Sequence, residues 1–175
     1  MSVRFLCRRH TVEVAKQAVS NARNAGFVNI SIDLMYGFPG ETLEEWEKDI
    51  EQALSLKPEH ISAYALMYEE GTRLWTMLER GTVEEIDENL SLSMYETLME
   101  RLRIAGYEHY EISNFCRKAN VSRHNLKYWN CEEYLGFGPG AHSDFGGRRF
   151  VIVRDLQQYV NGIKTGGSVL AEVDE

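Results

Sequence analysis

The chain has little from which to build a disulfide scaffold. Its 175 residues include three cysteines, Cys7, Cys116 and Cys131, odd in number and widely spaced. Such usage fits a reducing, cytoplasmic setting and argues against a cross-linked secreted fold. Their spacing is neither that of zinc ligands nor that of an iron–sulfur cluster. No apolar run approaches the ~20 residues needed to span a bilayer, and the start MSVRFLCRRH is no signal peptide. Positive charge is also short: 19 Lys and Arg stand against 27 Asp and Glu, a formal charge of −8. Nucleic-acid affinity comes mainly from clustered Lys and Arg, so this balance argues against a phosphate-tracking surface. Proline is scarce, three residues against fourteen glycines, and the glycines concentrate after position 135. There is no internal repeat and no low-complexity tract.

What is present is an ordinary globular composition, 43% hydrophobic and 26% charged. The pattern alternates between helix and strand periods, which predicts an α/β fold. Val12, Ala15, Val19 and Ala22 form a helical stripe stopped by Gly26. FVNISIDLMY then reads as a strand and Gly37-Phe38-Pro39-Gly40 as a turn. Thr42 and Glu45 have the spacing of a capping box. Leu43, Trp46, Ile50, Ala53 and Leu54 mark the buried face of the helix that follows, and HISAYALMY is a second strand. The default for such a β-α-β unit is a parallel pair. Beyond it the periods predict a short helix around Leu74–Leu78, a long one carrying Ile86, Leu90, Met94, Leu98 and Leu102, and a strand from Tyr107 to Ser113. Residues 114–133 show no period; a strand at Arg149–Val153 and a helix at Leu156–Ile163 come later.

Several residues stand out chemically. Asp33 lies near the C-terminal end of an otherwise apolar strand, where parallel α/β proteins bind their ligands. It either accepts the hydroxyls of a ribose or caps neighbouring backbone. Ala63, Tyr64, Leu66, Met67 and Tyr68 end the second strand, either stacking a flat ring or simply joining the core. Ser122-Arg123-His124-Asn125-Leu126-Lys127-Tyr128-Trp129 falls in the aperiodic stretch and reads as a loop. It brings a possible axial metal ligand and two aromatic walls within six residues, or else a solvated His beside rings that anchor the loop. Gly136-Phe137-Gly138-Pro139-Gly140 lacks the spacing of a dinucleotide fingerprint and reads as a tight backbone passage close to a ligand.

RRHTVEVAKQAV, NAGFVNISIDLMYGFPGET, HISAYAL, EEGT, GYEHYEISNF, SRHNLKYW and YLGFGPGAHS occur in that order and cover most of residues 8–143. Together they resemble the radical S-adenosylmethionine family of oxygen-independent coproporphyrinogen III oxidases and their relatives. SRHNLKYW carries an HNxxYW pattern similar to the HemW-like, haem-chaperone branch. The resemblance implies a partial (β/α) barrel holding S-adenosylmethionine and a [4Fe–4S] cluster at the C-terminal ends of its strands. It places Arg8 at the methionine carboxylate, Asp33 at the ribose hydroxyls, Met35 beside the cofactor, and Tyr64 and Met67 around the adenine. It makes His124, Asn125, Tyr128 and Trp129 a haem-binding motif, with His124 toward the iron.

The family's Cys-x3-Cys-x2-Cys is absent from the chain. The expectation is therefore a fragment, with residues 1–70 the second half of the barrel and 71–175 an α+β extension, cut at both ends. Alone it is expected not to reduce S-adenosylmethionine, because three close thiolates are missing. The expected function is that of part of a haem chaperone, with haem, a haem-accepting protein and a second copy of the chain as partners. The alternative is part of an oxidase that decarboxylates coproporphyrinogen III. A third expectation is an inert half barrel with unpaired sheet edges and an uncovered apolar face.

Overall fold

A computed structural model describes residues 11–174, which fall into two compact units divided between Val121 and Ser122. The first unit begins with α1 (Val12–Asn24), capped by the Thr11 hydroxyl, which accepts the Val14 N–H at 3.3 Å. None of its residues is fully buried, and polar ties hold it instead. Lys16 Nζ donates to Gln52 at 2.8 Å, and Arg23 donates to the Lys57 carbonyl at 2.9 Å and to Glu59 at 2.7 Å.

Strands β1 (Ser31–Tyr36) and β2 (His60–Ala65) flank α2 (Leu43–Ser55) and pair in parallel, from Ser31 opposite His60 to Tyr36 opposite Ala65. The capping box forms: the Thr42 hydroxyl accepts the Glu45 N–H at 3.2 Å and Glu45 accepts the Thr42 N–H at 3.1 Å. The short α3 (Arg73–Glu79) and the long α4 (Glu88–Ile104) follow. The hairpin of β3 (Glu108–Glu111) and β4 (Asn114–Cys116) completes a four-stranded sheet in the order β1-β2-β4-β3. β4 runs antiparallel to β2, so the sheet is mixed beyond the β-α-β unit. The aperiodic reading at 114–116 missed this strand. Three residues are too few to display alternation, and all three are buried.

The core lies on one face of this sheet. Ile32, Leu34, Tyr36, Ile61, Ala63 and Phe115 pack against Trp46 and Ile50 of α2 and Met94, Leu98 and Leu102 of α4. The apolar face expected to lie bare is thus covered by the chain's own helices.

The second unit contains α5 (Arg123–Trp129), the antiparallel sheet β5-β6-β7 (His142–Phe145, Arg148–Ile152, Leu170–Asp174) and α6 (Leu156–Thr165). The stretch read as a loop at 122–129 is instead a helix. Its seven residues span too little chain for a stripe to show, and its start is set by the Ser122 hydroxyl, which accepts the Asn125 N–H at 3.3 Å. The sequence analysis also lacks strands β5 and β7: β5 pairs with β6 across the two-residue Gly146-Gly147 turn but is only four residues long, and β7 pairs with a strand well upstream in the chain.

Candidate functional site

Strand alternation gives the first sheet two chemically different faces. Opposite the core, Ser31, Asp33 and Met35 of β1 stand in register with His60, Ser62 and Tyr64 of β2, and Ser62 and His60 stand in register with Asn114 and Cys116 of β4. This face is largely polar, and along β2 its exposure rises toward the C-terminal end of the strand. His60, Ser62 and Asn114 are buried, whereas Asp33 is exposed and Tyr64 and Met67 are 42% and 71% exposed. Met35 is half-buried. Of the two readings of Tyr64 and Met67, the core reading fails. Arg8 lies outside the described residues.

His60 links three strands: its Nδ1 lies 2.8 Å from Ser31 Oγ and its Nε2 2.7 Å from the Tyr110 hydroxyl. Beside it Asn114 Nδ2 donates to Glu111, while Asn114 Oδ1 is buried without a partner among the described residues. Burial lowers the His60 pKa and outweighs the charges of Asp33 and Glu111, which raise it. The folded state therefore holds His60 neutral where the unfolded chain takes up a proton near pH ~6.5. Its contribution to stability is present above that pH and is lost as pH falls, at up to ~1.4 kcal/mol per pH unit. Denaturant titrations of the wild type and of His60→Gln between about pH 5 and 7 should differ by this slope; parallel profiles would contradict it.

The turn after β1 is braced from below. Glu41 accepts the Gly37 N–H at 2.7 Å and the Phe38 N–H at 3.0 Å, and the Tyr36 carbonyl accepts the Leu66 N–H at 2.8 Å. Gly37 sits at φ +83°, a conformation that side-chain-bearing residues resist. Half-burial raises the Glu41 pKa, and the two N–H donors partly offset that rise. The sequence reading passed over Glu41 and over the polar partners of Asp33. The signal was available, since Ser31, Asp33, His60 and Ser62 alternate with apolar residues in both strands.

A second candidate lies in the unit from Ser122. On α5, His124 and Tyr128 are four residues apart and share a face. Their rings meet edge-on with centroids 5.1 Å apart, and the Tyr128 hydroxyl is 3.3 Å from His124 Nε2. Tyr128 in turn meets Tyr134 at 4.7 Å and 68°. His124 and Trp129 are exposed, the latter by 62%, and Asn125 is half-buried. An imidazole and an indole thus stand open to a flat ligand. The glycine passage closes on the chain itself: Gly136 N–H donates to Ser143 Oγ at 3.0 Å, and a Cβ at Gly136 would run into the His142 carbonyl oxygen. Its close approach is to its own backbone.

Cys116 and Cys131, the cysteines among the described residues, do not fit an iron–sulfur cluster. Cys116 is buried and Cys131 exposed, each free, and no three His, Cys, Asp or Glu gather to hold a metal among the described residues. The face around Asp33 does fit a nucleoside ligand: an exposed carboxylate, a buried acceptor lacking a donor, and an exposed aromatic and a thioether at the strand ends. No helix among the described residues is long and apolar enough to cross a membrane.

Residues 2–53 match the Radical SAM superfamily. The chain is 40% identical over 160 residues to the "Heme chaperone HemW" of Bacillus subtilis (strain 168), covering 91% of this chain and 42% of that protein. It is 37% identical over 166 residues to the protein of the same name from Lactococcus lactis, covering 95% and 44%. It is 39% identical over 143 residues to "Radical S-adenosyl methionine domain-containing protein 1, mitochondrial" of Danio rerio, covering 82% and 32%. The structure of coproporphyrinogen III oxidase (HemN) from Escherichia coli, described as a radical SAM enzyme, superposes with a TM-score of 0.79 at 18% identity over 98% of this chain and 42% of that one. Together these matches support a HemW/HemN-like, radical S-adenosylmethionine family for the chain. It spans less than half the length of these relatives.

Proposed function

We propose that this chain is the part of a HemW-like haem chaperone that carries both the strand-end face for S-adenosylmethionine and the haem-contacting helix. The whole protein would take up haem and pass it to a haem-requiring acceptor in the cytoplasm. The observation that carries this reading is the open His124–Tyr128–Trp129 surface on α5, in a chain 40% identical to a protein named for haem chaperoning. In this reading His124 approaches the iron, and Tyr128 and Trp129 flank the macrocycle with Asn125 beside them. An exposed imidazole suits a cargo that must also leave, because no wall of the site has to open for release. Asp33 accepts the ribose hydroxyls of S-adenosylmethionine, with Met35, Tyr64 and Met67 alongside and Arg8 at its carboxylate. When bound, that cofactor and its [4Fe–4S] cluster would supply the family's radical chemistry. The cluster's three thiolates are not among the residues here, and no step is assigned to it. Residues 1–70 are read as the second half of the barrel and 71–175 as its extension. Self-association into a homodimer and the absence of nucleic-acid partners belong to the same proposal.

The test is a haem titration of the 175-residue chain. The wild type should give a Soret shift that His124→Ala reduces at least tenfold in apparent affinity, and an unchanged titration in the variant would sink the assignment. Stoichiometric decarboxylation of coproporphyrinogen III by the full-length protein under anaerobic conditions would instead assign it to the oxidase branch.

A further inference from the structure

We propose that Tyr134, outside the HNxxYW motif, is the positioning residue that fixes the His124 helix for haem; the inference rests on the haem reading above. A seven-residue helix is well below the ~12–15 residues at which an isolated helix becomes even marginally stable in water. α5 contains no fully buried residue, and its Ser122 cap is local. Its orientation must therefore come from contacts beyond its own segment, and the ring pair between Tyr128 and Tyr134 is such a contact.

Tyr134 is suited to the task because its own backbone is held on the sheet. Its N–H donates to the Asp144 carbonyl at 2.7 Å, and its carbonyl accepts the Asp144 N–H at 3.0 Å, an antiparallel bridge onto β5. Two residues on, Gly136 donates to the buried Ser143 hydroxyl. The half-buried Tyr134 ring meets the Tyr128 ring at 68°, a favoured edge-on geometry for aromatic pairs. Tyr128 then meets His124 edge-on at 89°, with its hydroxyl beside Nε2. A continuous series of contacts thus runs from β5 through Tyr134 and Tyr128 to the imidazole. Tyr134 acts through Tyr128, whose ring meets both its own and that of His124.

The experiment compares Tyr134→Ala, Tyr134→Leu and Tyr134→Phe with the wild-type chain in two measurements. Amide hydrogen exchange without haem reports the order of α5, with β6 and β7 as the internal control of folding. Haem titration reports the site. Tyr134→Ala and Tyr134→Leu should speed exchange along α5 and weaken the His124-dependent Soret response about threefold to tenfold, the worth of one aromatic pair. Tyr134→Phe keeps the ring and should stay within about twofold of wild type. The proposal is overturned if Tyr134→Leu leaves α5 exchange unchanged while the sheet stays protected, or if Tyr134→Phe is as impaired as Tyr134→Ala. Should the wild-type haem response prove independent of His124, the haem reading fails by itself, and α5 exchange still decides whether Tyr134 holds the helix.

Discussion

Trp46→Ala should destabilise the first unit by about 3–5 kcal/mol, the usual range for emptying a buried large aromatic site. Trp46 is completely buried at the junction of α2, α4 and the sheet. Its ring lies 5.1 Å from that of Tyr36, and its Nε1–H donates to the Met94 carbonyl at 2.9 Å. Alanine removes the packing of a whole indole together with that bond. Small domains are stable by about 5–15 kcal/mol in total, so the substitution consumes a large part of the margin. Trp46→Phe keeps most of the ring and loses the donor, and should cost about 1–3 kcal/mol. Native-state hydrogen exchange along α2 and α4 reads both values. A loss below about 1 kcal/mol for the alanine variant would mean that this residue does not join the two helices as described.

Gly136→Ala should have the largest effect in the second unit. The added methyl meets backbone, the His142 carbonyl oxygen, and also lies 3.1 Å from Ala141 Cβ. A flexible side chain could swing aside, but here the strand itself must shift. Overpacking of this kind costs about 1–3 kcal/mol and occasionally more. The shift would fall at His142, next to the Gly136–Ser143 bond and two residues from the Tyr134–Asp144 bridge. The variant should therefore lose protection along β5 and also bind haem more weakly. Exchange at β5 within experimental error of wild type would show that the passage has room to spare.

The legible parts of the chain were those where local rules and tertiary packing agree. The Thr42–Glu45 capping box, the Trp46–Ile50–Ala53 stripe and the parallel pairing of β1 with β2 are all in the structure as the spacing implied. The long helix with Met94, Leu98 and Leu102 inward is another. Asp33 was legible as an oddity, a carboxylate in an apolar strand, and the fold leaves it exposed on the face opposite the core. Among the short elements α3 was legible, from Leu74, Met77 and Leu78, but β4 and α5 were not. β4 is too brief for a period, and nothing in SRHNLKYW alone shows that it coils into a helix. Glu41 escaped notice because its role depends on a turn bringing two backbone N–H groups to one carboxylate.

The sequence by itself determined the α/β class, the first two strands and the helix between them, and the residue types offered to a nucleoside and to a flat ring. Periodicity and capping act within a few residues, and so they survive in a bare string of letters. Only the tertiary structure decided that the sheet turns antiparallel after β2, that its apolar face is covered, and which polar groups surround Asp33. It also decided that the glycine passage packs on its own backbone and that Tyr134 reaches the His124 helix. Each of these depends on groups that meet in space from distant parts of the chain, and on burial, which belongs to the assembled chain and to no residue taken alone.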